Sequence, residues 1–200
     1  MDQSESIAAQ KVALRDQLLT ARRRQPLAGI PLNATTIAAH LMDTEEVRRA
    51  ATVAAYVSVS LEPGTGPVIE QLHALGRRVI LPVLRPDDDL DWAAYTGPDG
   101  LVAARRGLLE PVGPRLGVEA IATADVVLCP GVAVDRTGMR LGRGGGSYDR
   151  ALGRVPAGTF VCTLLYDGEI VDRVPAAAHD RRVNAVVTQK GVTRFPPARA

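Results

Sequence analysis

A glycine-rich segment flanked by arginines is the part of this sequence best suited to chemistry. Residues 140–150 read RLGRGGGSYDR, with glycine at four of five consecutive positions. Glycines let the backbone approach a ligand closely, and successive N–H groups can bind an anion. Ser147 is placed to cap a helix whose N-terminal dipole favours phosphate. The segment therefore predicts a phosphate-binding loop.

Charged side chains in the same segment suggest how a phosphate would be held. Arg140 and Arg143 offer fork-shaped donors for phosphate oxygens, and Asp149 offers a carboxylate that could hold Mg²⁺ against them. The segment matches neither the P-loop consensus nor a well-placed dinucleotide fingerprint. Taken alone, it is also compatible with a flexible turn that carries solvated arginines and a helix-stabilising aspartate.

Basic residues of a predicted N-terminal helix form a second candidate site. Residues 4–24 have helical periodicity with one apolar stripe. At 100° per residue, Lys11, Arg15 and Arg22 lie beside that stripe, so their charges start near the protein body. Lys11 stands out because the chain has 22 arginines and only two lysines. Long basic side chains that flank a buried face and extend to water would give the same pattern.

Alternating strand and helix patterns predict the elements that position these residues. An apolar strand over 52–59, a helix over 67–75 and a strand over 78–84 form a β-α-β unit with parallel strands. Further strands are predicted over residues 125–129, 159–165 and 183–188. We expect one domain over residues 1–200, a three-layer α/β/α fold with a mostly parallel sheet.

Two polar features follow predicted strands directly. Glu62 comes after the first strand, and the glycine-rich segment comes after the strand over 125–129. Ligands of such sheets bind beyond the carboxyl ends of the strands, so both features are candidates for one site. Residues 85–116, which include an acidic stretch and a predicted strand from Trp92 to Thr96, show no pattern that places them in the sheet.

The composition excludes several classes of function. Lysine and arginine total 24 against 22 acidic residues, which gives no electrostatic reason to expect nucleic acid or an anionic membrane. Cys129 and Cys162 sit in apolar runs and are expected to be buried free thiols, as in a cytoplasmic protein. His40, His73 and His179 lack metal-ligand spacing.

Several motifs together resemble those of one family. Residues 130–135 read PGVAVD, and Gly138 and RLGRGGGSYDRAL follow; this is similar to the signature of the 5-formyltetrahydrofolate cyclo-ligases, also called methenyltetrahydrofolate synthetases. Shorter matches occur in the family's order, and they are Lys11 with Leu14-Arg15, Tyr56 through Glu62 and Thr65, Leu81-Pro82, Glu110-Pro111 and His179-Asp180. The resemblance covers about residues 10 to 190 and implies a fold related to the sugar-phosphate isomerases and CoA-transferases.

The resemblance also implies an activity, its ligands and the residues that bind them. The enzyme would use ATP and Mg²⁺ to convert 5-formyltetrahydrofolate, with or without a polyglutamate tail, into 5,10-methenyltetrahydrofolate, and it would act as a monomer. Lys11 and Arg15 would contact the ATP phosphates, and Lys11 and Arg143 would be catalytic. The nucleotide loop would comprise Arg140, Leu141, Gly142, Arg143, Gly144, Gly145, Gly146, Ser147 and Tyr148, of which residues 143–147 would also lie near the folate. Asp149 would bind Mg²⁺, and Val57 and Glu62 would meet the pterin.

Two positions depart from the family pattern and leave alternatives open. Ser147 stands where the family usually has the first of two tyrosines, and Asn184 stands where some relatives carry a second Mg²⁺-associated aspartate. A sugar-phosphate isomerase of similar fold would use the loop without ATP. A nucleotide- or folate-binding protein without turnover would keep the loop but not the reaction.

Overall fold

A seven-stranded sheet forms the centre of the computed structural model, which describes residues 3–196. The described strands are, in chain order, β1 (Thr52–Ala54), β2 (Arg78–Leu84), β3 (Leu90–Ala94), β4 (Leu101–Ala103), β5 (Leu109–Pro111), β6 (Val126–Pro130), β7 (Ala133–Asp135), β8 (Arg140–Leu141), β9 (Phe160–Leu164), β10 (Ile170–Val171), β11 (Ala185–Thr188) and β12 (Gly191–Arg194). The described α-helices are α1 (Gln3–Arg23), α2 (Gly29–Met42), α3 (Glu45–Arg49), α4 (Gly66–Ala74) and α5 (Ser147–Leu152).

The main sheet is parallel except at its edges. Its order is β12-β11-β9-β6-β1-β2-β3, and the five central strands are parallel to one another. The edge strands β3 and β12 run antiparallel to their neighbours. The predicted mostly parallel sheet is therefore confirmed. The carboxyl ends of the five central strands lie on the same side of the sheet, which we call its carboxyl edge.

Helices cover both faces of this sheet. Alternate residues of β6 face two separate apolar cores, with Val126 and Leu128 in one and Val127 in the other. The first core is covered by α2, α3 and α4, and the second by α5 and a 3₁₀ turn over Val118–Thr123. Because strands buried on both faces need apolar residues throughout, they read as continuous hydrophobic runs. The three-layer α/β/α prediction is confirmed.

The first predicted strand is shorter than expected because side chains take over its hydrogen bonds. β1 ends at Ala54, although the apolar pattern continues to Val59. Beyond it, the N–H of Ser58 donates to the Thr65 hydroxyl and the N–H of Val59 donates to the Glu62 carboxylate. The chain therefore leaves the sheet as a shaped loop that places Glu62.

Two smaller sheets surround the carboxyl edge of the main sheet. β10, β7 and β8 form one, and the hairpin of β4 and β5 forms the other. The hairpin lies within residues 85–116, whose place in the fold the sequence did not predict. None of the described helices has the length and apolar composition needed to cross a bilayer.

A buried ion pair fastens α1 to the rest of the molecule. Two guanidinium nitrogens of Arg22 donate to the two carboxylate oxygens of Glu169, and Nη2 also donates to the Gly131 carbonyl at 2.9 Å. Burial alone would lower the pKa of Arg22, but the hydrogen bond and charge of Glu169 outweigh it and raise that pKa. Arg22 therefore anchors the helix and does not join Lys11 and Arg15 at the cavity described below.

This anchor gives a test of stability. Glu169→Ala would leave the Arg22 charge buried without its partner, so we expect the free energy of unfolding to fall by about 3–5 kcal/mol. Glu45→Ala removes an exposed i,i+4 pair with Arg49 and should cost about 0–1 kcal/mol. Urea denaturation followed by circular dichroism measures both, and equal small losses would contradict the anchoring role.

Candidate active site

A cavity of about 390 Å³ lies at the carboxyl edge of the main sheet. Tyr56 and Val57, which follow β1, and Pro130 and Gly131, at the end of β6, belong to its lining. Every residue to which the family resemblance gives a binding or catalytic role also lines it, and these are Lys11, Arg15, Val57, Glu62 and the ten residues from Arg140 to Asp149. The structure thus brings together side chains that lie up to 138 positions apart in the chain.

Arginine side chains pack against alternate glycines of the loop. A Cβ atom on Gly142 would lie 2.8 Å from Nη1 of Arg140, which leaves no room for a side chain. Gly144 has φ +104°, which L-residues rarely adopt, and its missing Cβ would lie 3.5 Å from Cζ of Arg15. These glycines allow the guanidinium groups to approach the loop backbone directly.

Arg15 differs from the other basic residues of the cavity in its partners. Its Nε donates to the Gly142 carbonyl at 2.8 Å, and it forms no ion pair with a described acidic residue. The remaining described lysine and arginines of the lining are all paired with acids: Lys11 with Asp180, Arg106 with Asp88, Arg140 with Asp149 and Arg143 with Glu62. Arg15 is therefore the cation whose charge is most available to an incoming anion.

The two lysines occupy opposite environments. Lys11 is buried, and its ammonium contacts the Asp180 carboxylate within the cavity lining. Lys190 lies in the turn between β11 and β12, where its side chain is 73% exposed and pairs with Asp167. Lys11 thus reaches the cavity, whereas its position beside the apolar stripe was equally compatible with a charge extended to water.

The start of α5 differs from the prediction at its cap. Ser147 is the first helical residue, and Gly146, with φ +70°, occupies the cap position without a side-chain hydrogen bond. The prediction that Ser147 caps this helix is therefore wrong, because the left-handed glycine turns the chain into the helix instead. Ser147 still lines the cavity.

Asp149 has one oxygen engaged by the protein. Its Oδ1 accepts hydrogen bonds from Nη2 of Arg140 at 2.9 Å and from the N–H of Arg181 at 3.2 Å. No described donor bonds Oδ2, so that oxygen suits a cation. Residues 3–196 contain no cluster of three or more acidic, histidine or cysteine side chains that could hold a metal alone. A Mg²⁺ ion here would take its remaining ligands from phosphate and water, which is its usual preference.

Glu62 is a buried carboxylate rather than an exposed loop acid. It is 7% exposed, its Oε2 accepts the N–H of Val59 at 2.9 Å, and its Oε1 faces Nε of Arg143 at 3.1 Å. Desolvation raises the pKa of Glu62, and the Val59 N–H and the Arg143 charge oppose that rise. A ligand with N–H groups would satisfy this carboxylate better than the apolar surroundings do.

Two buried tyrosine hydroxyl groups add polar atoms to the cavity lining. The hydroxyl groups of Tyr56 and Tyr148 have no hydrogen-bond partner among the described residues. Burial raises the pKa of both phenols well above 10, with the nearby Glu62 charge adding to the rise. Since unsatisfied buried hydroxyls are uncommon, a bound water or ligand atom is the natural partner.

Some cavity residues carried little or no sequence signal. Asp180 and His179 were part of a motif match without an assigned role, and Asp180 proves to be the partner of Lys11. Leu108 and Leu109 of the β4–β5 hairpin, and Arg106 in its 3₁₀ turn (Arg105–Gly107), also line the cavity. Their approach depends on how the hairpin packs, which no local pattern encodes.

Asn184 lies on the side of the main sheet that carries the amino ends of the central strands, opposite the carboxyl edge. Its side chain accepts from the N–H of Val161 at 2.8 Å and donates to the carbonyl of Thr159 at 2.7 Å. Asn184 precedes β11, so it sits at the amino ends of the strands, whereas the cavity is at the carboxyl ends. Its amide therefore joins two chain segments and does not contribute to the cavity lining.

The fold and the cavity together define an α/β protein whose ligand site is built for an anion. A sequence profile described as the 5-formyltetrahydrofolate cyclo-ligase family matches residues 7–189. The chain belongs to this family, as its motifs predicted.

Relatives of known name support the same assignment. The 5-formyltetrahydrofolate cyclo-ligase of Mycolicibacterium smegmatis is 43% identical over 185 residues, which cover 90% of this chain and 94% of that protein. The Escherichia coli K12 enzyme of the same name is 36% identical over 163 residues, or 78% and 87% of the two chains. The solution structure of 5,10-methenyltetrahydrofolate synthetase from Aquifex aeolicus matches with a TM-score of 0.80 at 28% identity, covering 95% of each chain.

The raised pKa of Glu62 predicts a pH-dependent stability. Its ordinary value is 4.5, and the folded value is higher, so the protonated carboxyl favours the folded state. This contribution is fully present below pH 4.5 and is lost as the pH rises through the folded pKa. Relative to Glu62→Gln, the wild type should therefore become less stable between pH 4.5 and neutrality. Urea denaturation of both proteins across this range measures the difference, and a constant difference would contradict it.

Proposed function

We propose that this protein closes 5-formyltetrahydrofolate into 5,10-methenyltetrahydrofolate and converts ATP to ADP and phosphate. One observation carries the proposal: the residues of the family signature, scattered along the chain, line a single cavity at the carboxyl edge of the sheet. The site is rich in arginines and backbone amides and suits binding of phosphates more than nucleophilic attack by a side chain.

The chemistry needs activation of a poor electrophile. A formamide carbon resists attack, and bound ATP supplies the phosphoryl group that makes the formyl oxygen a leaving group. The N10 amine of the folate then attacks that carbon, and phosphate departs. The protein's task is to hold the two substrates in line and to neutralise charge during phosphoryl transfer.

Each predicted residue has a contact in the cavity that suits its proposed role. Arg15 has no acidic partner within residues 3–196 and would bind phosphate together with the N–H groups of residues 142–147. Lys11 and Arg143 would neutralise charge on the transferred phosphoryl group. Arg143 also contacts Glu62, which supports a position between the two proposed ligands. Glu62, beside Val57, would accept hydrogen bonds from the pterin N–H groups.

Asp149 is the residue that we propose for Mg²⁺. Its carboxylate would hold the ion, and the ion would screen the charge of the ATP phosphates. Arg140 holds one carboxylate oxygen and so fixes the orientation of the side chain.

The setting of the reaction is also part of the proposal. The buried free thiols Cys129 and Cys162 suit the reducing cytoplasm. One chain supplies every proposed site residue, so we propose that a monomer is active. The hairpin side of the cavity carries Arg106 and Leu109, which are 59% and 42% exposed, so a polyglutamate tail could leave the site there.

An absorbance assay tests the proposal directly. Mixing the protein with 5-formyltetrahydrofolate, ATP and Mg²⁺ should generate the methenyl chromophore and an equal amount of ADP. Folate-dependent ADP release separates this activity from that of a sugar-phosphate isomerase. Binding of both ligands by calorimetry without a chromophore would instead indicate a binding protein without turnover.

Lys11→Ala should raise the KM for ATP more than the KM for the folate. Loss of a charged hydrogen bond costs about 1.5–3 kcal/mol, which corresponds to roughly 10- to 150-fold. The change also leaves the Asp180 carboxylate facing the phosphates without its partner, which acts in the same direction. Lys190→Ala is the matched control and should leave both KM values unchanged. Unaltered ATP kinetics in Lys11→Ala would exclude the phosphate role.

Asp149→Asn should lower turnover by orders of magnitude while the protein stays folded. The amide retains an oxygen for Arg140 and Arg181 but loses the charge that favours Mg²⁺. If the carboxylate only paired with Arg140 and stabilised the first turn of α5, the variant would lose stability and almost no rate. Turnover measured against Mg²⁺ concentration should show partial recovery at high Mg²⁺. Near-normal turnover with unchanged Mg²⁺ dependence would refute the metal assignment.

A further inference from the structure

A third arginine packs against the glycine loop from outside the cavity lining. Nη2 of Arg150, on α5, donates to the Gly145 carbonyl at 3.1 Å. A Cβ atom on Gly146 would lie 2.8 Å from Nη1 of Arg150, so the guanidinium fills the space beside this left-handed residue. Gly142, Gly144 and Gly146 thus each face a different arginine, and these are Arg140, Arg15 and Arg150.

The same guanidinium reaches a second element. Nη2 of Arg150 also donates to the main-chain carbonyl of Asp88 at 2.6 Å. Asp88 belongs to the turn between β2 and β3, residues 85–89, which we call the acidic turn. Its φ of +62° is rare for a residue with a side chain, and its carboxylate pairs with Arg106 at 2.8 Å. Arg150 therefore links the glycine loop to a turn at the carboxyl end of a neighbouring strand.

We infer that Arg150 is a positioning residue for the nucleotide loop, an inference that rests on the proposed function for the loop's role in ATP binding. Arg150 acts through the loop, because it is not part of the described cavity lining. By holding the Gly145 carbonyl and packing beside Gly146, it fixes the directions of the N–H groups that would face phosphate. Three consecutive glycines have little order of their own, so this support is supplied by side chains.

The expected consequence is specific to the nucleotide. Without the guanidinium, ATP itself must order the loop, and the lost preorganisation weakens ATP binding. Arg150→Met keeps the apolar stem and should raise the KM for ATP about 10- to 100-fold. The KM for the folate and the melting temperature should change little. Arg150→Lys, which keeps a charged donor but lacks the guanidinium group that packs beside Gly146, should recover part of the loss.

Arg154 provides a matched control. It lies two residues beyond the end of the same helix and pairs with Asp89 of the same acidic turn at 2.6 Å, but none of its hydrogen bonds reaches the glycine loop. Arg154→Met should lower the melting temperature and leave the KM for ATP unchanged. Asp88→Gly is a second control for the KM for ATP, which it should leave unchanged. It keeps the carbonyl that Arg150 needs, and glycine accepts the positive φ.

Two measurements together decide the inference. Steady-state kinetics compare the KM for ATP, the KM for the folate and kcat in the wild type and the three variants Arg150→Met, Arg154→Met and Asp88→Gly. Amide hydrogen exchange of residues 142–147, followed in the protein without nucleotide, should be faster in Arg150→Met and unchanged in Arg154→Met. An equal rise in the KM for ATP in both arginine variants would overturn the inference, and so would wild-type exchange in Arg150→Met.

The exchange experiment also separates this inference from the proposed function. If the wild type formed no methenyl chromophore, the proposed function would fail, while the loop exchange would still report whether Arg150 orders the glycines. If the chromophore formed normally and Arg150→Met kept wild-type KM values and exchange, the positioning role alone would fail.

Discussion

Direct packing of guanidinium groups against glycine is the interaction on which this site depends. A Cβ atom at Gly142 or Gly146 would displace the guanidinium group that packs there, and at Gly144 it would be in van der Waals contact with Arg15. The arginines come from β8, α1 and α5, so the loop is held from three directions. The spacing of glycines in this segment thus reflects side chains that surround the loop as well as the backbone freedom of the loop itself.

This arrangement also explains how so much positive charge is tolerated before any ligand is bound. Lys11, Arg140 and Arg143 each have an acidic partner, and two of those partners, Asp180 and Glu62, are themselves largely buried. Such pairs limit repulsion among the cations. The donors that these carboxylates leave unused are available to an incoming anion.

The sequence predicted the layers, and the residues that gather at the cavity, better than the contacts between them. The period of the apolar residues gave the parallel sheet, and the helix predicted to follow the glycine-rich segment is α5. Local patterns could not show that β1 ends early, since that depends on the side chains of Thr65 and Glu62 bonding the backbone. They also could not show Asp180 beside Lys11, or the approach of the β4–β5 hairpin, because both depend on long-range packing. For Asn184, position in a motif suggested the metal site, whereas the direction of β11 places it at the other edge.

The scarcity of lysine has a practical consequence for chemical conjugation. Among lysine side chains, Lys190 is open to solvent, while Lys11 is enclosed and bound to Asp180. An amine-directed fluorophore or resin that attaches through a lysine side chain therefore reaches Lys190 first. That attachment point lies in the turn after β11. In the order of the sheet, four strands separate β11 from β3, the strand that follows the acidic turn. Lys190 is not part of the described cavity lining, and slow modification of Lys11 would report on occupancy of the cavity.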